Sequence, residues 1–237
     1  MSQLGLDGLR AERDAMLDVL RGLDDHEWNA PSAEAGSSVR DVVAHVASTH
    51  RGVIDREHLP GNGDPVKVRR SWSITDLVDE FATYTAKTTE VFGSMQGSDK
   101  RIPMAQFGMH PVSALPDLYL FDMYGHLRAD VLRPYGPVDR EEPPRDEQRV
   151  RPTVEWMLGA WPHMCPPADG AIELVLDGAG GGTWTVGGNG TALRATVHSA
   201  AHDFVLWGTA RQPYSGYVQI DGETAYAHEV LARVKII

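Results

Sequence analysis

The hydrophobic period of this chain changes once, and that change limits the folds open to it. From Leu9 to about Leu132 the apolar residues recur at helical spacing. Beyond a proline-rich, charged segment they fall instead in short β-rich runs between glycine turns. Such a chain folds as a helical unit followed by a small α+β unit.

In the first part, Leu9, Met16, Leu20 and Leu23 predict a helix ending near Asp24 and Asp25. Ser38 followed by Asp41 resembles a capping box, and Val39, Val42, Val43 and Val46 supply the apolar face of a second helix, 39–57. The stretch LPGNGDPVK reads as an exposed connection. Ser73 with Asp76 repeats the capping signal, and Ile74, Leu77, Val78, Phe81, Tyr84 and Val91 predict a third helix. A fourth starts near Pro116 and runs to about Leu132, before Pro134. Four such helices make a bundle.

The run PYGPVDREEPPRDEQRVRP has five prolines and no apolar period, so it is expected to be a linker or surface strap. The boundary placed there divides the chain into a bundle, 1–150, and an α+β domain, 151–237. After a short helix near Trp156, AIELVLD, GTWTV and LRATVH predict strands, followed by a helix from Ser199, a strand YVQI and a helix from Glu223. GAGGG at 178–182 lacks the Lys-Ser/Thr of a phosphate loop and lies between strands, so it is expected to be a hairpin turn.

A net charge of −11 argues against gripping phosphate backbones, and nucleic acid is not an expected partner. One cysteine, Cys165, permits neither an intrachain disulfide nor a Cys-rich zinc site, which suits a reducing cytoplasm. No run approaches the ~20 apolar residues of a membrane span, so a cytoplasmic protein without a membrane partner is expected. With no long coiled coil in the pattern, a monomer or small homo-oligomer is expected.

On the fourth helix, Leu115, Leu118, Asp122, Gly125, Ala129 and Leu132 follow the spacing of an inward face, with His126 beside it. An inward carboxylate must be neutral, paired, solvated or bound to a cation. Asp122 and His126 are four apart, so their tips can converge on one atom. His45, at the edge of the second helix's apolar stripe, points into the same bundle. Three N/O ligands with a fourth position open are the donor set of a catalytic zinc. A helix-surface pair and a hydrogen-bonded core histidine are the alternatives. Asp130, one turn past His126, is placed either to orient that imidazole or to sit on the surface. His110 lies near the start of the fourth helix, within reach of a pocket. His163, His198, His202 and His228 have no partner spacing, and Cys165 has no nearby base.

The run SSVRDVVAHVAS, with His45, and the later DMYGH, Asp122 to His126, resemble the metal-ligand motifs of the mycothiol-dependent maleylpyruvate isomerase family, within the wider DinB/YfiT-like helical bundles. GAIELVLDGAGGGTWTV, ATVHSAAHDFVLWGTAR and VQIDGE resemble that family's C-terminal sterol-carrier-like domain, so the likeness covers nearly the whole chain in order. Asp122 stands where the family usually has Glu, one methylene shorter, and Ser37 stands near the place of a family Trp. Arg211 matches a family arginine.

The resemblance implies a DinB-like four-helix bundle with a sterol-carrier-like α+β domain. It also implies a divalent metal, Zn2+, on His45, Asp122 and His126, and a low-molecular-weight thiol such as mycothiol. The activity it implies is addition of metal-bound thiolate to an electrophilic small molecule, giving isomerisation or S-transfer, with Arg211 as the catalytic group holding a substrate carboxylate. Two alternatives stay open: a thiol-independent metal-dependent hydrolase, isomerase or cyclase, and a non-catalytic binder of hydrophobic ligands.

Overall fold

The long helices begin where the sequence offers them a cap. In the computed structural model, which describes residues 3–56, 64–165, 169–188 and 190–237, α1 (Gln3–Arg21) ends just before Asp24. Asp24 then caps a short α2 (Asp25–Asn29) with Glu27 as its capping-box partner. The Ser38–Asp41 capping box opens α3 (Val39–Asp55), and Val39, Val42, Val43 and Val46 are all buried. Residue 57 of the expected helix and residues 59–63 of the LPGNG turn lie outside the described residues. The rest of that connection is helical, because Asp64 caps Pro65 at the first turn of α4 (Pro65–Arg69). Arg70 then donates to Asp41, fastening α4 to the start of α3. Ser73 caps α5 (Ile74–Ser94), which packs against α3 and buries Leu77 and Phe81 in the core.

A small hairpin, β1 (Arg101–Pro103) and β2 (Met109–Pro111), precedes α6 (Leu115–Gly125). The expected fourth helix runs the full distance but changes pitch: residues His126–Val131 form a π-helical turn. The Leu132 N–H reaches back five residues to the Leu127 carbonyl at 2.9 Å. Widened turns of this kind re-aim side chains and recur at functional sites.

The expected short helix near Trp156 is a long one, α7 (Glu147–Met164), capped by Asp146, and it takes in the end of the supposed strap. The reason lies elsewhere in the chain. Glu12 of α1, fully buried, pairs with Arg149 at 3.0 Å and with Arg128 of the π turn, so charges that look solvated in sequence are neutralised inside.

The remaining elements follow the sequence reading closely: β3 (Ala171–Asp177), β4 (Gly182–Gly187), β5 (Leu193–Ala200), α8 (Ala201–Gly208), β6 (Gln219–Gly222) and α9 (Thr224–Leu231). The sheet order is β4-β3-β5-β6, with β3 and β5 parallel and the outer pairs antiparallel. The GAGGG run is the β3–β4 turn. Gly180 has φ +76° and lies so close to Val150 and Arg151 of α7 that a Cβ would collide with backbone. Trp161 of α7 stacks on Phe204 of α8, and one continuous apolar cluster joins helices and sheet. Among the described residues no helix is long and apolar enough to cross a membrane.

Candidate metal centre

The expected ligands converge. His45 Nε2 lies 3.6 Å from Asp122 Oδ1, and His126 Nε2 lies 3.5 Å from the same oxygen. Donor atoms on a tetrahedral ion with bonds near 2.0–2.1 Å are separated by about 3.4 Å, so these spacings fit one small cation. The two imidazole rings stand edge to face, 5.0 Å between centroids. α3 supplies His45, and the junction of α6 with the π turn supplies the other two.

The electrostatics favour positive charge at that point. Asp122 Oδ2 is enclosed without a hydrogen-bond partner among the described residues. Burial opposes ionisation of Asp122, yet the charge and hydrogen bonds of His126 and His45 hold its carboxyl well below the usual range. Burial likewise opposes a charge on His126, but Asp122 and then Asp130 outweigh it and raise the ring to about 9. A field that retains a proton on this ring also favours a cation in its place.

His126 Nδ1 is 2.7 Å from Asp130 Oδ2, so the carboxylate one turn on fixes the imidazole with Nε2 toward the other ligands. Arg211 in turn donates to Asp130 at 2.8 and 3.3 Å. Its position comes from the end of α8, where Ala210 takes a left-handed φ of 58° and the Arg211 N–H bonds the Leu206 carbonyl at 2.9 Å. A second possible donor group, Glu34 with His126 and Asp130, shares atoms that already bond each other and already carries the guanidinium charge. The His45, Asp122 and His126 group therefore fits an ion better.

These groups line one cavity of about 1110 Å³, with Phe107, Leu118, Tyr119, Phe121, Tyr135 and, from the C-terminal segment, Lys235 and Ile237. That volume exceeds the upper end of ordinary small-molecule sites, ~1000 Å³, and has room for two reactants. Arg211 lines it, as the sequence reading expects. His110 does not: its Nε2 lies 2.7 Å from the Phe107 carbonyl and its ring packs on Trp156. Cys165 accepts from the Lys235 N–H at 3.2 Å and so helps hold the C-terminal segment that lines the cavity. Tyr119, Lys235 and Glu34 escaped the sequence reading. Tyr119, three residues before Asp122, carried a faint signal; the other two, on loops far from the motif, carried none.

A helical bundle followed by a small mixed-sheet unit, with three convergent N/O side chains on the edge of a cavity, characterises this chain. Residues 9–127 match the model of the mycothiol maleylpyruvate isomerase N-terminal domain, and the chain belongs to that family. Two solved structures share its fold: the mycothiol-dependent maleylpyruvate isomerase and a histidine-to-alanine mutant of it. Each has a TM-score of 0.61 and 14% identity, with 93% of both chains covered. No curated protein sequence matches the chain significantly.

Proposed function

We propose that this protein is a metal-dependent enzyme of thiol chemistry, in which the sulfur of a low-molecular-weight thiol adds to an electrophilic small molecule and isomerises its double bond. The observation that carries this reading is the convergence of His45, Asp122 and His126 on one edge of a cavity large enough for two molecules, with Arg211 in its wall. A zinc ion held there supplies the positive charge that keeps a thiol sulfur deprotonated at neutral pH. His45 and His126 offer neutral ring nitrogens, and Asp122 offers Oδ1. Asp130 holds His126 in the tautomer that leaves Nε2 free. Arg211, braced by Asp130, presents a permanent charge that orients a substrate carboxylate. The apolar walls, Phe107, Leu118 and Phe121, exclude water that would compete for the electrophile.

The solved relative's name supplies the pair to try first: mycothiol as thiol and maleylpyruvate as electrophile. The thiol must be kept reduced, which suits a cytoplasmic setting. In cobalt-substituted protein, mycothiol is expected to change the visible and near-ultraviolet absorption, and maleylpyruvate is then expected to isomerise only when the thiol is present. Turnover that ignores the thiol, with a spectrum it leaves unchanged, would rule out this reading in favour of a thiol-independent metal enzyme.

A further inference from the structure

The cavity wall includes a phenol whose hydroxyl makes no hydrogen bond among the described residues. Tyr119 lies one turn before Asp122 on α6 and lines the same cavity. Its ring is held between His50, edge to face at 4.9 Å, and Phe92, at 5.0 Å. Its hydroxyl has no hydrogen-bond partner among the described residues. Other tyrosines differ: Tyr124 bonds His202 at 2.8 Å, Tyr135 bonds Gln212 at 2.8 Å, and Tyr84 bonds Asp55 at 2.5 Å. A partly buried phenol on a cavity wall, its ring clamped on two sides and its hydroxyl unbonded to the described residues, is available to donate to a ligand.

We propose that Tyr119 is a catalytic residue, its O–H donating a hydrogen bond to the carbonyl oxygen of the electrophile as that oxygen becomes negative. The inference rests on the thiol-addition reading above. In that reaction a sulfur lone pair forms the C–S bond, the C=C pair moves to form an enolate double bond, and the carbonyl pair settles on oxygen. Rotation occurs about the former double bond. The electrons then return, the C–S bond breaks, and the thiolate leaves with its pair. Nothing is oxidised and no net proton moves, so the step needs a fixed donor and no base. Tyr119 suits it because a phenol stays protonated at neutral pH. Tyr119 lines the same cavity as the candidate metal ligands, one turn before Asp122 on the same helix, whereas Arg211 is assigned to the substrate carboxylate.

The test is Tyr119→Phe, which removes one unpartnered oxygen, assayed with mycothiol and maleylpyruvate in zinc-loaded protein. Loss of a transition-state donor predicts kcat lower by roughly 10²–10³-fold with KM changed far less, and with metal content, circular dichroism and Tm those of the wild type. A folded, metal-loaded variant whose kcat stays within about threefold of wild type overturns the assignment while leaving the thiol reading intact. A variant with lowered Tm or lost metal also overturns it, since the hydroxyl would then hold the structure. Absence of turnover in the wild type would defeat both the thiol reading and this assignment.

Discussion

Two carboxylates pair with side chains of the α6–π segment, Glu12 fully buried and Asp122 partly so, and they are treated in opposite ways. Glu12 is fully enclosed and saturated: Arg128 and Arg149 both pair with it, and Arg128 also lies 3.8 Å over the Tyr124 ring and 3.2 Å from Glu142. Asp122 has two imidazoles at 3.5 and 3.6 Å on one oxygen and, among the described residues, no hydrogen-bond partner on the other. The first arrangement leaves no room for a ligand and ties α1, the π turn and α7 together. The second is incomplete in the way a cation would complete. A carboxylate that evolution leaves short of donors inside a protein is more informative about function than one it satisfies.

The largest effect expected from breaking this contrast is on the saturated side. Glu12→Ala removes the buried carboxylate that two guanidiniums share, leaving them only the carboxylates of Glu142 and Asp146 among the described residues, and should cost about 3–5 kcal/mol in urea denaturation, with metal binding unchanged in molecules that fold. Next comes pH. In metal-free protein the folded-state pKa of His126, about 9, lies above its ordinary 6.5. Its stabilising contribution is therefore complete below pH 6.5 and is lost as pH rises through 9. Thermal scans of metal-free protein should show Tm falling across that window, and Asp122→Asn should flatten the slope. Zinc affinity should rise over the same window, because binding requires the ring without its proton.

A smaller effect is expected at Asp130. Asp130→Asn keeps the shape but removes the charge that orients His126, and competition titration should find zinc bound roughly 10–100-fold more weakly. The smallest concerns Gly125, in αR geometry between the two clusters, where an added Cβ would meet only the Arg211 guanidinium at 3.5 Å. Gly125→Ala should add about 0.5–1 kcal/mol of stability with metal content unchanged, and lost metal would show that the site needs that space.

The same contrast explains what could be read from the chain in advance. The Asp122 cluster was legible because two of its members are one helical turn apart and the third follows a capping box that fixes where α3 begins. The Glu12 cluster was not, because its partners lie 116 and 137 residues away, and without them Arg149 looked like part of a solvated strap. The Arg211–Asp130 pair, 81 residues apart, was hidden for the same reason. The strands and their glycine turn were plain, since alternation and turn chemistry are local. The π turn was not, because its five-residue hydrogen bond leaves no mark on hydrophobic spacing. Tyr119 lies on α6 among other aromatic residues, where sequence alone does not separate a core ring from one that lines a cavity.

The most direct test of the central claim is elemental analysis of protein purified without added metal or a metal-affinity tag, beside His126→Ala checked by circular dichroism. The account predicts about one zinc-like ion per chain in the wild type and its loss from a variant that remains folded. No metal in the wild type, even after reconstitution, or full retention of metal in the folded variant, would contradict it.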